Sequence, residues 1–133
     1  MELIEIGKVE SPLRDRDAAP KQGDEGAPEA SLVFSAGMVE GLEGIGVGDE
    51  LLVLTWLDRA ERDVLRVHPR NDPNRPLQGV FNTRSPDRPN PIGLHRVTVL
   101  AIDGGCVRVS ALEALDGTPI VDVKPLLRTI DER

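Results

Sequence analysis

From Leu94 to Pro125 the chain repeats one pattern, an alternating run of apolar residues broken by a turn and then resumed. A run over 94–102, the turn Asp103, Gly104, Gly105 and a run over 106–112 together form a strong β-hairpin signal. A second turn at Asp116, Gly117 and Thr118 leads into PIVDVKP. Upstream, residues 2–9 alternate well enough for a first strand and residues 31–39 for a second. Residues 50–57, ELLVLTWL, are nearly continuously apolar, as in a strand covered on both faces, which places Trp56 in the core. DVLRVH, residues 63–68, is a short strand with Val64, Arg66 and His68 on one side. No long helical period interrupts the pattern, so helix is confined to a short piece near Ala60 or at the C-terminus. About seven short strands with long loops predict an all-β fold, and closure into a small closed or nearly closed β-barrel would remove the exposed edges.

A chain of 133 residues is long enough for one such core and is read as a single domain, 1–133. Its apolar residues are aliphatic, with Phe34, Trp56 and Phe81 the only aromatics. That excludes a strip of stacking platforms for single-stranded nucleic acid. The net charge of -7 likewise argues against a general phosphate-coating protein. The charge is uneven, however. Between Arg59 and Arg96 eight arginines face four acids, a local +4 that leaves -11 on the rest of the chain. Such a face suits selective contact with one anionic ligand or a structured RNA.

Cys106 is the single cysteine, which rules out an internal disulfide and fits a reducing compartment. The two histidines, His68 and His95, have no metal-ligand spacing, so no protein-held metal is expected. The N-terminal MELIEIGKVE is not a secretory signal, and no apolar run approaches a membrane span. A soluble, cytoplasmic protein without membrane contact is the expectation.

Two segments between strands stand out. Residues 14–29 are rich in Asp, Ala, Pro and Gly, and the PKQGDEG portion of this long loop is a candidate lid. GLEGIGVGD carries glycines like a dinucleotide fingerprint, but Asp49 stands where the third glycine would be, and a strand follows. A plain glycine turn is the better reading.

The most unusual stretch is RSPDRPNP, residues 84–91, set between strands. Proline fixes its own φ and pushes the residue before it toward extended geometry, here Ser85, Arg88 and Asn90. The side-chain directions are therefore set before any ligand arrives, which lowers the ordering cost of binding. Arg84, Ser85, Arg88 and Asn90 offer donors suited to a carboxylate, a phosphate or a nucleobase edge. Residue chemistry leaves two readings open: a preorganised ligand clamp, or a rigid turn with solvated arginines.

The run GVFNTRSPDRPNPIGL and the downstream LDGTPIVDVKP resemble the TsaA-like (TrmO) family of tRNA methyltransferases. IGKVESPL, PKQG and GLEG match further family landmarks in the same order, and the resemblance runs from about Ile6 to Pro125. It implies a small β-barrel acting as a homodimer. It further implies that S-adenosylmethionine is the cofactor and that the methyl acceptor is the exocyclic nitrogen of threonylcarbamoyl-adenosine beside the tRNA anticodon.

Carried onto this sequence, the resemblance assigns Arg84 of NTRS and Leu94 after NPIG to the cofactor. Asp116, Gly117, Thr118 and Pro119 of DGTP, Gln22 and Gly23 of PKQG, and Leu57 and Asp58 after the apolar strand complete that set. Two positions depart from the family pattern: Asp58 stands where a histidine is common and Lys21 where an arginine is common. Many members also carry a further C-terminal domain.

A carboxylate-bearing substrate gives the basic face a purpose, with Arg66, Arg88, Asn90 and Arg96 as candidate substrate contacts. A urea-like nitrogen gains nucleophilicity if a neighbour accepts its proton. Asp58, Asp87, Asp116 and His68 are the available acceptors, and the catalytic base stays unassigned. Asp116 reads as a turn former, and both histidines read as exposed or hydrogen-bonded structural side chains. The alternative to a tRNA methyltransferase is a non-catalytic barrel that binds S-adenosylmethionine or a partner protein. Methylation of a small metabolite is a weaker third reading.

Overall fold

The computed structural model describes residues 1–14 and 28–127. Strands β1 (Gly7–Glu10), β2 (Ala30–Phe34), β3 (Glu50–Trp56), β4 (Arg66–Val67), β5 (Gln78–Gly79), β6 (Ile92–Asp103), β7 (Cys106–Val109) and β8 (Pro119–Pro125) follow one another along the chain. Six of them close into an antiparallel barrel in the order β1-β2-β7-β6-β3-β8, with β8 returning to β1. Strands β4 and β5 form a separate two-stranded ribbon. The expected seven-strand count is thus corrected to six in the ring and two outside it.

Alternation explains the core. In β3 the inward residues are Leu51, Val53 and Thr55, and in β6 they are Gly93, His95, Val97 and Val99. With Val9, Leu32, Val107, Val109, Leu112 and Ile120 they fill the lumen. A six-stranded ring is narrower than the eight-stranded barrel that side chains just fill, which accounts for valine where larger barrels use aromatics. Each such side chain, removed from water, contributes about 1.5–3 kcal/mol.

Several predicted boundaries move. The first strand starts at Gly7 rather than residue 2, because its partners are confined to Ser31–Phe34 and Pro119–Ile120. The second ends at Phe34, where Ser35 N–H bonds Ile6 O at 3.0 Å and a 3-10 turn over Ala36–Leu42 begins. The strand at 63–68 shrinks to Arg66–Val67, since only Gln78–Gly79 lies opposite. The strand from Cys106 ends at Val109, and Ala111 then takes a left-handed φ of 32° that no strand continues through.

Near Ala60 there is a turn closed by Ala60 N–H to Leu57 O, not a helix. GLEGIGVGD is a plain turn, in which Asp49 accepts the Gly46 N–H at 2.8 Å. The expectations of a C-terminal helix and a PKQG lid fall on residues outside those described. No helix among the described residues is long and apolar enough to cross a membrane.

Antiparallel closure sorts the connections between the two mouths. The ends of β1, β3 and β7 and the starts of β2, β6 and β8 share one mouth of the barrel. The connections after β1, after β3 and after β7 therefore start and finish there, while 35–49 and the tight turn after β6 are at the other mouth.

Candidate functional site at the barrel mouth

Around this mouth the start of β6, the end of β3, the start of β8 and the end of β1 are consecutive neighbours in the ring. The sequence segments NPIG, Leu57–Asp58 and DGTP occupy the first three of those positions, and the segment before PKQG occupies the fourth. Residues distant in sequence are thus gathered along one arc. Leu57 N–H bonds Pro91 O at 2.8 Å, tying the end of β3 to the proline loop. Arg59 Nη1 donates to Arg14 O at 2.9 Å, and Arg14 Nη1 lies 3.3 Å from Asp116 Oδ2, tying β3 to β1 and β1 to the DGTP turn.

The proline loop is held from within. The Arg88 guanidinium donates to the carbonyls of Val80, Thr83 and Ser85, which folds the chain around it. Ser85 Oγ accepts the Asp87 N–H at 3.2 Å, and Asp87 Oδ1 accepts the Glu61 N–H at 2.9 Å. Arg62 secures the far end, donating to Pro89 O at 2.8 Å and Asn90 Oδ1 at 3.1 Å while its guanidinium lies 5.0 Å over the Trp56 ring. Trp56 is therefore not in the lumen; it stands on the outer face of β3 as a platform for Arg62.

These contacts separate the arginines by availability. Arg88 is committed to backbone carbonyls, and Arg96 is paired with Glu50 at 2.9 Å on the outer wall of the barrel. Asn90 Oδ1 is occupied by Arg62. Of the four candidate substrate contacts these three are thus internal to the fold, each having found a closer partner. Arg66 and Arg84 are exposed, and their side chains have no hydrogen bond or ion pair among the described residues.

At the DGTP turn, Thr118 N–H bonds Leu115 O at 3.1 Å, and Gly117 adopts φ 85°, the positive value that the third residue of such a turn requires. Asp116 accepts the Ser11 N–H at 3.0 Å and pairs with Arg14, so its carboxylate is structural, as expected. Gly117 N–H donates to Val9 O and Asp116 N–H to Leu13 O, both at 2.7 Å, which anchors the turn against β1. Thr118 is buried, Pro119 half-buried.

Leu94 is on the outer face of β6, 45% exposed, opposite Leu54 of β3. Leu57 is half-buried, and Asp58 is exposed with no partner among the described residues. His68 donates through Nδ1 to Arg75 O at 2.7 Å. Gln22 and Gly23 lie outside the described residues. Among those described, no three His, Cys, Asp or Glu side chains come together as metal ligands would.

One cluster escaped the sequence reading. His95 is in the lumen, hydrogen-bonded to Thr55 Oγ1 at 2.7 Å through Nε2 and to Glu113 Oε1 at 2.5 Å through Nδ1. The signal was present: His95 shares its alternation with the inward valines Val97 and Val99.

An amphoteric ligand requires a cation, a carboxylate and apolar surface. Among the described residues Arg84 on the proline loop is an uncommitted cation, Asp58 after β3 an uncommitted carboxylate, Leu57 is half-buried and Leu94 exposed. A small closed barrel with such a loop-built mouth belongs to the class of β domains whose ligand chemistry is carried by connections rather than by strands.

The chain is a member of the family described as tRNA-methyltransferase O N-terminal domain, whose model matches residues 8–132. It is 44% identical over 131 residues to a probable S-adenosyl-L-methionine-binding protein of Archaeoglobus fulgidus, covering 98% of this chain and 35% of that protein. A probable S-adenosyl-L-methionine-binding protein of Methanothermobacter thermautotrophicus is 42% identical over 126 residues, covering 95% of this chain and 90% of that one. The crystal structure of TrmO from Pseudomonas aeruginosa superposes with a TM-score of 0.80 at 27% identity, covering all of this chain and 59% of that one. The chain thus spans about a third of one relative's length and somewhat over half of the solved structure's.

Proposed function

We propose that this domain binds S-adenosylmethionine at the barrel mouth and directs its methyl group to the exocyclic nitrogen of threonylcarbamoyl-adenosine next to the tRNA anticodon, acting in the cytoplasm as a homodimer. The observation that carries the reading is the convergence of NPIG, Leu57–Asp58 and DGTP on neighbouring strand ends, with Arg84, uncommitted among the described residues, on the proline loop that leads into NPIG. The names of the relatives support the cofactor, and the family supports the reaction class.

When bound, S-adenosylmethionine supplies an electrophilic methyl group on a sulfonium. The domain's own residues have to hold and align the reactants. In this reading Arg84 pairs with a carboxylate in bidentate fashion. Leu57 and Leu94 cover apolar surface, and the DGTP turn, fixed on β1, gives the mouth a rigid wall through Asp116, Gly117, Thr118 and Pro119. Gln22 and Gly23 complete the cofactor set in this reading. Arg66 meets the acceptor's carboxylate or an adjoining phosphate, while Arg88, Asn90 and Arg96 support the loop and wall. Among the four candidate proton acceptors Asp58 has its carboxylate free among the described residues, so we assign it the proton released by the acceptor nitrogen.

Calorimetric titration with S-adenosylmethionine tests the cofactor claim. The expected result is saturable binding that Arg84→Ala weakens at least roughly tenfold with the melting temperature unchanged, because the side chain has no partner to lose. Absence of binding by the folded protein would end the methyltransferase reading. Transfer of labelled methyl onto threonylcarbamoyl-modified tRNA tests the acceptor. Cofactor binding without transfer to any RNA would instead favour a non-catalytic binding module, a reading motivated by Asp58 in place of the family's common histidine.

A further inference from the structure

The cluster of Thr55, His95 and Glu113 is absorbed by none of these roles. Thr55 is completely buried, and the side chains of His95 and Glu113 are 4% and 17% exposed. The three residues come from separate parts of the chain: Thr55 is on β3 just before Leu57, His95 is on β6, and Glu113 lies in the connection between β7 and β8. That connection folds over the mouth, with Leu112 and Ala114 sunk in the core on either side of Glu113, and it ends in the DGTP turn.

The hydrogen-bond directions follow from the donor inventory. An ionised Glu113 only accepts, so Nδ1 donates to it, and in the neutral imidazole Nε2 then accepts from the Thr55 hydroxyl. No buried polar side-chain atom of a described residue is left without a partner. The neighbouring Gly93 makes the arrangement possible. A Cβ there would fall 2.4 Å from Thr55 Oγ1 and 2.7 Å from His95 Nε2. The order Thr, His, Glu is that of a nucleophile, base and orienting acid. Here the hydroxyl is sealed in the lumen, where no substrate reaches it, so the chain of bonds does mechanical rather than covalent work.

We propose that His95 is a positioning residue for the ligand site: held by Thr55 at the end of β3, it grips Glu113 and so fixes the DGTP turn relative to Leu57, Asp58 and Leu94. The inference rests on the cofactor reading above for its functional consequence, and on geometry alone for its structural one. Among the described residues the hydrogen bonds that leave Asp116, Gly117 and Thr118 run to β1 and the segment after it, on the side of β8 away from β3, and β8 first meets β3 one residue beyond the turn, where Ile120 lies opposite Thr55. His95 supplies a cross-brace from the opposite side.

Three variants separate positioning from general stability. In His95→Asn the amide nitrogen stands near the former Nδ1 and keeps the bond to Glu113. In His95→Gln the amide reaches the former Nε2 and keeps Thr55 but releases Glu113. His95→Leu releases both. Two readouts are taken on each: amide exchange at Asp116, Gly117 and Thr118, with the Val99 amide at the far mouth as reference, and affinity for S-adenosylmethionine by calorimetry.

The expected result is faster exchange at the three turn amides relative to Val99 in the Gln and Leu variants, with affinity down at least roughly tenfold and His95→Asn close to wild type in both. Equal acceleration at the turn and at Val99, or a Gln variant indistinguishable from the Asn variant, would overturn the proposal. If the Leu variant does not fold, the Asn and Gln pair decides. Failure of the wild type to bind S-adenosylmethionine would overturn the ligand site, while the exchange data would still show whether His95 fixes the turn.

Discussion

Single residues divide into those whose chemistry is spent inside the fold and those still available. Gly93 belongs to the first group: a methyl group there has no space between Thr55 and His95. Gly93→Ala is expected to cost about 2 kcal/mol by overpacking, read as a lower denaturant midpoint at unchanged slope. Arg84 belongs to the second: residue chemistry left it open between a ligand clamp and a solvated turn, and its assignment to the cofactor rests on the family resemblance. Arg88 looked equivalent in sequence. The difference is not local in sequence, because three backbone carbonyls converge on Arg88 only after the loop has folded. His95 was read as exposed or hydrogen-bonded, and it is the second; which of the two applies was marked by its place in the alternation with Val97 and Val99.

At the scale of elements, the hairpin of β6 and β7 and the apolar β3 were legible because their patterning is local and their turns carry glycine. The ribbon of β4 and β5 was overestimated in length, since strand length depends on how much partner lies opposite. The excursion from Leu57 to Pro91 is organised instead by Arg62, which joins the ends of the segment to the Trp56 platform. Arg62→Ala is expected to cost about 1 kcal/mol through the lost stacking and hydrogen bonds at a solvent-accessible site. Amide exchange should locate the loss. The Arg88 amide, bonded to Glu61 O, is expected to exchange faster, and the Val53 amide in the ring to remain protected. Equal change at both positions would mean that Arg62 supports the whole barrel rather than the loop.

For the whole molecule, one continuous aliphatic core fills the lumen, so local damage there is felt globally. Leu32→Ala, at a completely buried position, is expected to cost about 3 kcal/mol, measured as a fall in equilibrium stability by denaturant. Closure was legible as a way of removing edges, but the strand count was not, because ribbon and ring strands share the same pattern. The pair that completes the ring was not legible either: Gly7 lies opposite Ile120, a contact between the first strand of the chain and the last. That pairing has a consequence during synthesis. On the ribosome β1 and β2 emerge long before β8, and the chain has to wait with raw strand edges until Pro119 and the residues after it clear the exit tunnel. A premature stop ahead of β8 would therefore yield an open, adhesive sheet rather than a smaller barrel, and such a fragment is a substrate for chaperones and proteases.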